Sequence, residues 1–231
     1  MASGGKWRAR ASFRTQALTF LLVLLACHPG EVVSQDIRAF FLELPGQHMN
    51  DLSLDAREEL LSVGRFYPAG DTGPEVVVYH ARVEHERFMT VDMTFESDHT
   101  GFNLFELKAW PRSEGGSLYG VSRIAGSRWI FDQADLSFFT MEAGQLRPEN
   151  VDVPERHELR DFAEPGTPDS VMGLFSSYVI SVHLDPEESD LLWVLATPDG
   201  RYPDWLRGNA IRYRWNGTDF DEGEMTETRP R

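Results

Sequence analysis

Hydrophobic and polar residues alternate with a period of two across the middle of the chain. Val77, Tyr79, Ala81 and Val83 fall on one side of an extended segment, and His80, Arg82 and Glu84 on the other. From Arg87 to Glu96, Met89, Val91, Met93 and Phe95 alternate with Thr90, Asp92, Thr94 and Glu96. This pattern predicts two strands, each with one face in a core and one in water. A two-residue hairpin on His85-Glu86 would set Arg82 against Met89. A three-residue loop, Glu84 to Glu86, is therefore expected, pairing Ala81 with Met89, Tyr79 with Val91 and Val77 with Met93, and bringing His80 near Thr90.

Residues 102–110, 117–125, 127–131 and 136–141 continue the strand pattern, with Asp98-His99-Thr100-Gly101 and Ser113-Glu114-Gly115-Gly116 as turns between them. The spacing predicts a mainly β (α+β) fold: an antiparallel meander forming a sandwich or open barrel, with one N-terminal helix. That helix is capped by Asn50 or Asp51, runs to about Val63 and stops at Gly64. Residues 37–44, centred on Phe40-Phe41-Leu42, form a short apolar stretch ahead of it. The helix and main sheet would occupy 35–142. Residues 143–170 are rich in Pro, Glu and Asp and read as a connector. A smaller β-rich part, 171–220, has strands expected in 171–184, 191–196 and 211–215, with a core of its own or one shared with the first. Residues 221–231 form a polar tail.

The N-terminus changes the picture of where the protein acts. Lys6, Arg8, Arg10 and Arg14 precede an apolar run from Ala17 to Ala26, the pattern of a secretory signal over residues 1–34. The run is too short to anchor a helix across a bilayer. Two processing sites compete. Leu24-Leu25-Ala26-Cys27 resembles the lipobox of bacterial lipoproteins, which would make Cys27 a lipidated N-terminus. Val32 and Ser34 suit conventional cleavage that leaves Gln35 first. Cys27 is the chain's single cysteine, so once residues 1–34 are removed there is no disulfide, thiolate nucleophile or Cys-based metal site. Export without disulfides fits a bacterial envelope. The protein is expected in the periplasm or secreted, or held at the outer membrane by a lipid on Cys27, its single route to a membrane.

The run Gln35-Asp36-Ile37-Arg38-Ala39-Phe40-Phe41, then Pro45, a short helix and a β-meander, resembles a family of exported proteins of unknown function from Bacteroidetes-type bacteria. The resemblance covers residues 35–148. It implies an envelope protein and carries over no site residues.

Charge narrows the partners. The 22 basic and 37 acidic residues give −15; residues 1–34 hold four of the former and one of the latter, which leaves 18 against 36, or −18. Such a surface repels nucleic acid and anionic lipid. Lys108 is the one lysine left in that part. An acidic, lysine-poor surface fits a salt-loving source, and equally an arginine-rich codon usage.

No P-loop, G-x-G-x-x-G, H-E-x-x-H or EF-hand spacing is present, and no cofactor or metal is expected. Asn216-Gly217-Thr218 fits a glycosylation acceptor but reads as a turn, and Asp219-Phe220-Asp221-Glu222 as a solvated tail. The best acid–base candidates are His80 and Asp92, which adjacent strands would bring onto one polar face. His85 has opposite parity to His80 and would face away unless the turn bends it back. Candidate ligand-binding rings are Tyr202 and Trp205, in Pro198-Asp199-Gly200-Arg201-Tyr202-Pro203-Asp204-Trp205, together with Trp215. Exposed rings bind sugars or proteins, and buried ones fill a core. The expectation is a non-enzymatic binding or scaffold module whose partner is an envelope protein or a glycan. The alternatives are a glycan-directed hydrolase using surface carboxylates, and a structural subunit of a larger assembly.

Overall fold

A computed structural model describes residues 36–68, 76–95, 101–127, 131–154, 156–188, 190–197 and 200–228, with backbone alone at 127 and 131–134. Cys27 and Gln35, the two competing mature N-termini, lie outside the described residues. All described residues belong to one compact unit, Ser34–Arg231.

The meander is a seven-stranded antiparallel sheet in chain order: β1 (Arg65–Phe66), β2 (Val77–His85), β3 (Phe88–Phe95), β4 (Gly101–Pro111), β5 (Ser117–Ser127), β6 (Phe131–Glu142) and β7 (Gln145–Glu149). The expected strand at 117–125 extends to residue 127, and the expected strand at 127–131 falls largely on residues 128–130, outside the described residues. The β2–β3 parity agrees with the sequence pattern, but the register differs. Val83 pairs with Met89, Ala81 with Val91, Tyr79 with Met93 and Val77 with Phe95. The shift is two residues from the expected pairing, so no face changes. Its cause is a bulge between Val83 and His85, which lets a tight turn on Glu86-Arg87 coexist with pairing of the apolar faces. The bulge also brings His85 opposite Phe88, on the same face as His80.

One face of this sheet carries Met89, Val91, Phe105, Leu107, Tyr119, Val121 and Phe139, all buried. Two short helices cover it, α1 (Ile37–Glu43) and α2 (Leu54–Val63), joined by a 3-10 turn, Gly46–Met49. The expected helix is α2, capped by Ser53, whose side chain accepts from the Ala56 N–H at 3.2 Å, and closed by Gly64 in the left-handed region. The apolar stretch before it is itself helical, with the Asp36 side chain capping the Arg38 N–H. Phe40 stacks on Tyr119 at 4.7 Å. Buried Arg57 of α2 donates to the carbonyls of Phe41 and Leu44 and so satisfies the C-terminal end of α1.

The other face holds Phe88, Trp110, Leu118 and Phe138. Mid-strand Gly120 leaves space there for Trp110: a Cβ at Gly120 would lie 2.6 Å from the Trp110 ring. Onto this face packs a second antiparallel sheet, in the order β11 (Glu224–Thr226), β10 (Ala210–Arg214), β9 (Asp190–Ala196), β8 (Val179–Leu184). Val182, Leu184, Leu191, Trp193, Leu195, Ile211 and Tyr213 supply its side of the core. Neither sheet closes into a barrel.

The Pro- and acid-rich stretch contributes β7, a 3-10 turn (Leu159–Phe162) and a four-residue helix, α3 (Asp169–Met172). Leu159, Phe162 and Ala163 are buried in the second core. His157 holds this stretch in place, contacting the Asp161 carboxylate through Nδ1 at 2.8 Å and the Tyr213 hydroxyl through Nε2 at 2.9 Å. At residues 216–219 the Asn216 side chain accepts from the Thr218 and Asp219 N–H groups, which forms the expected turn.

Candidate functional site

Where the two sheets meet, polar residues of β4 and β5 are buried. Alternation places Glu106, Lys108 and Ser122 on the same face as Trp110 and Leu118. Polar residues on a strand suit a solvated face; here the face is covered. The physical reason is β8. This strand pairs with β9 on one side only, and its other edge turns toward the first sheet. The Leu184 N–H donates to Glu106 Oε2 at 2.8 Å, and Ser122 Oγ donates to the Val182 carbonyl at 2.6 Å. An edge strand's unpaired backbone is thereby satisfied by side chains of another sheet. Beyond it, Lys108 Nζ donates to the carbonyls of Asp185 and Glu188, and His85 Nε2 contacts the Pro186 carbonyl.

Glu106 Oε1 also contacts His183 Nδ1 at 3.1 Å, and His183 Nε2 meets Ser181 Oγ at 2.9 Å. Carboxylate, imidazole and hydroxyl in this order are the components of a nucleophilic triad. Here Ser181 is only 4% exposed and both Glu106 oxygens are engaged. The chain therefore fixes β8 in place and presents no open nucleophile.

The second sheet packs along β4, β5 and β6. Farther across the same face, β2 and β3 carry the expected acid–base candidates. His80 pairs directly with Asp92, and Arg82 with Thr90. The structure thus brings His80 and Asp92 together as cross-strand neighbours, with Arg82 and Thr90 in the adjoining row. Arg82 is exposed; the other three are half-buried. Burial is the largest influence on the Asp92 carboxyl and raises it above the usual range; Glu106 adds to the rise, while Arg82 and His80 oppose it. Among the described residues, no side-chain hydrogen bond or ion pair engages His80, Arg82, Thr90 or Asp92.

The three aromatic candidates are not gathered with this array or with one another. Each is half-buried at the margin of the second core. The Tyr202 hydroxyl accepts from Asn209 Nδ2 at 3.2 Å. Trp205 meets the Phe175 ring edge-on at 5.7 Å. Trp215 donates through Nε1 to the Pro111 carbonyl at 2.8 Å and packs on Phe220. Sequence reasoning missed Arg82, Glu106, Lys108, Ser122 and His183. A signal existed: Lys108 is the lone lysine after residue 34, and it shares strand parity with Glu106 and Trp110. Among the described residues there is no group of three or more His, Cys, Asp or Glu side chains arranged for a metal, and no helix long and apolar enough to cross a membrane.

No family model and no curated protein matches this sequence. A solved structure of a domain of an uncharacterized protein from Porphyromonas gingivalis W83 is similar, with a TM-score of 0.53 and 15% identity, covering 82% of this chain and 98% of that one. At this identity the likeness shows the fold alone.

Proposed function

We propose that this chain is an exported bacterial envelope protein acting as a non-enzymatic binding module, with the open β2–β3 part of the meander as its binding face. One contrast carries the reading. Glu106, His183 and Ser181, the groups that resemble catalytic machinery, are engaged with one another and with the backbone of β8, and buried Ser122 and Lys108 beside them hold β8 and its following loop. Among the described residues, His80, Arg82, Thr90 and Asp92 of β2 and β3 make no side-chain hydrogen bond, which is the condition for taking up a ligand rather than stabilising a fold. Export is supported by the signal-like pattern of residues 1–34 and by a mature part without cysteine.

The hydrolase reading rests on His80 and Asp92 facing one another and on the raised Asp92 carboxyl. One experiment separates the two. The protein beginning at Gln35 is incubated with a panel of envelope glycans, and both its melting temperature and the mass of each glycan are followed. A binding module gives a thermal shift with the glycan intact. Product formation that disappears in Asp92→Asn would overturn the proposal. Export is checked by the intact mass of the mature protein from its native host. A lipid-modified start at Cys27 or a free start at Gln35 supports it, and a retained Met1 refutes it.

A further inference from the structure

We propose that His80, Arg82, Thr90 and Asp92 form a subsite for a neutral saccharide, recognised through neighbouring hydroxyl groups. The inference rests on the binding-module reading and adds the chemical class of the ligand.

The bulge and register of β2–β3 set these four side chains as two cross-strand pairs on one face, His80 with Asp92 and Arg82 with Thr90. Cross-strand neighbours lie roughly 5 Å apart, and residues two apart on a strand roughly 7 Å, so the array is about the extent of one sugar ring. Its chemistry alternates. Arg82 donates, Asp92 accepts when ionised, and the His80 imidazole and Thr90 hydroxyl do either. A vicinal diol, in which each hydroxyl both donates and accepts, is the complement of such an array.

Among the described residues none of the four makes a side-chain hydrogen bond or ion pair, which sets Arg82 apart in this protein. Almost all other arginines of the described part are engaged: Arg38, Arg112, Arg160, Arg212 and Arg214 with acids, and Arg57 and Arg207 with carbonyls. Arg82 has no such bond, although 36 acidic residues follow residue 34. Asp92 sits diagonally across from it without forming an ion pair. Charge selects a neutral ligand. A polyanion meets the net charge of −18 over the mature part and the carboxyl groups of Asp92 and Glu106. A cation meets Arg82.

The test is calorimetric titration of the protein beginning at Gln35 with neutral tetrasaccharides: xylotetraose, cellotetraose, maltotetraose and chitotetraose. Glucuronosyl-xylotriose serves as the acidic comparison, and a Glu-rich peptide as the peptide comparison. At least one neutral tetrasaccharide binds, and Arg82→Ala and Asp92→Ala each weaken it by about tenfold or more, as expected for loss of a hydrogen-bonding partner. Arg156→Ala, at an exposed arginine outside the array, leaves binding unchanged. Melting temperatures of the variants within a degree or two of the parent exclude unfolding as the cause. The inference fails if no neutral tetrasaccharide binds, if binding ignores Arg82 and Asp92, or if the acidic sugar or the peptide binds more tightly through the same residues. In the last case the binding-module reading survives with another ligand class; cleavage of a tetrasaccharide would remove the reading itself.

Discussion

Lys108 shows how much one side chain is asked to do at the seam between the sheets. Its ammonium, 5.7 Å from the Trp110 ring, donates to two loop carbonyls. A compact ammonium with three donors suits two convergent carbonyls better than a planar guanidinium, which rationalises a lysine in a part that otherwise uses arginine. Burial dominates its titration and lowers it from 10.5 to about 8, against the pull of Asp185, Asp190, Glu106 and Glu188. The sign of the linkage follows. Between about 8 and 10.5 the folded protein has released this proton while the unfolded chain keeps it, so stability rises with pH there, by up to about 1.4 kcal/mol per pH unit. Below that window both states hold the proton and the contribution is flat. The neutral amine still donates, so the loop stays attached. Urea unfolding of the parent and of Lys108→Met across this window is expected to show the parent gaining on the variant as pH rises; a constant difference would show that Lys108 does not titrate as its burial requires.

At the scale of elements, the edge of β8 is the feature on which the arrangement of the two sheets depends. Ser122→Ala removes the donor to the Val182 carbonyl and leaves a buried acceptor unmatched, at a cost of about 1–2 kcal/mol. Hydrogen exchange is expected to quicken in β8 and β9 and to stay unchanged in β2 and β3; uniform quickening across both sheets would mean that Ser122 acts on the whole fold and not on this edge. The same element marks the boundary of what the sequence made legible. Alternation assigned the faces of β2 and β3 correctly, because side-chain parity is local. It could not say what covers a face. Glu106, Lys108 and Ser122 gave no sign of burial because their cover, β8, comes some 60–80 residues later in the chain and meets them through backbone groups that have no residue signature. The β2–β3 register escaped for a related reason: a bulge at Glu84 adds a residue without disturbing the alternation around it. His80 and Asp92 were found because adjacent strands and matching parity suffice to bring them together. Arg82 was passed over because an exposed arginine is unremarkable until its neighbours are known to leave it unpaired.

For the whole molecule, the central question is whether three layers behave as one. The helix-side core and the inter-sheet core lie on opposite faces of the same strands: Leu107 points into one and Trp110 into the other, and Tyr119 and Leu118 divide likewise. Loss of packing on one face distorts strands that the other face needs, so the two cores should unfold together despite a chain longer than most two-state domains. The distribution of tryptophan makes this testable. Trp110, Trp193, Trp205 and Trp215 all belong to the second core or its margin, so in a protein beginning at Gln35 and carrying Trp129→Phe, tryptophan fluorescence reports the second core, while far-ultraviolet dichroism reports the helices as well as the strands. Phe40→Ala empties part of the helix-side core, where Phe40 lies against Tyr119 and Phe139, at a cost of about 3–5 kcal/mol. If the shared strands couple the layers, the fluorescence midpoint in urea falls by as much as the dichroism midpoint, although no tryptophan of the described residues lies in the helix-side core. If the fluorescence midpoint holds while dichroism falls, the helices form a separable layer, and the binding face on β2–β3 would then rest on the pairing of β3 with β4.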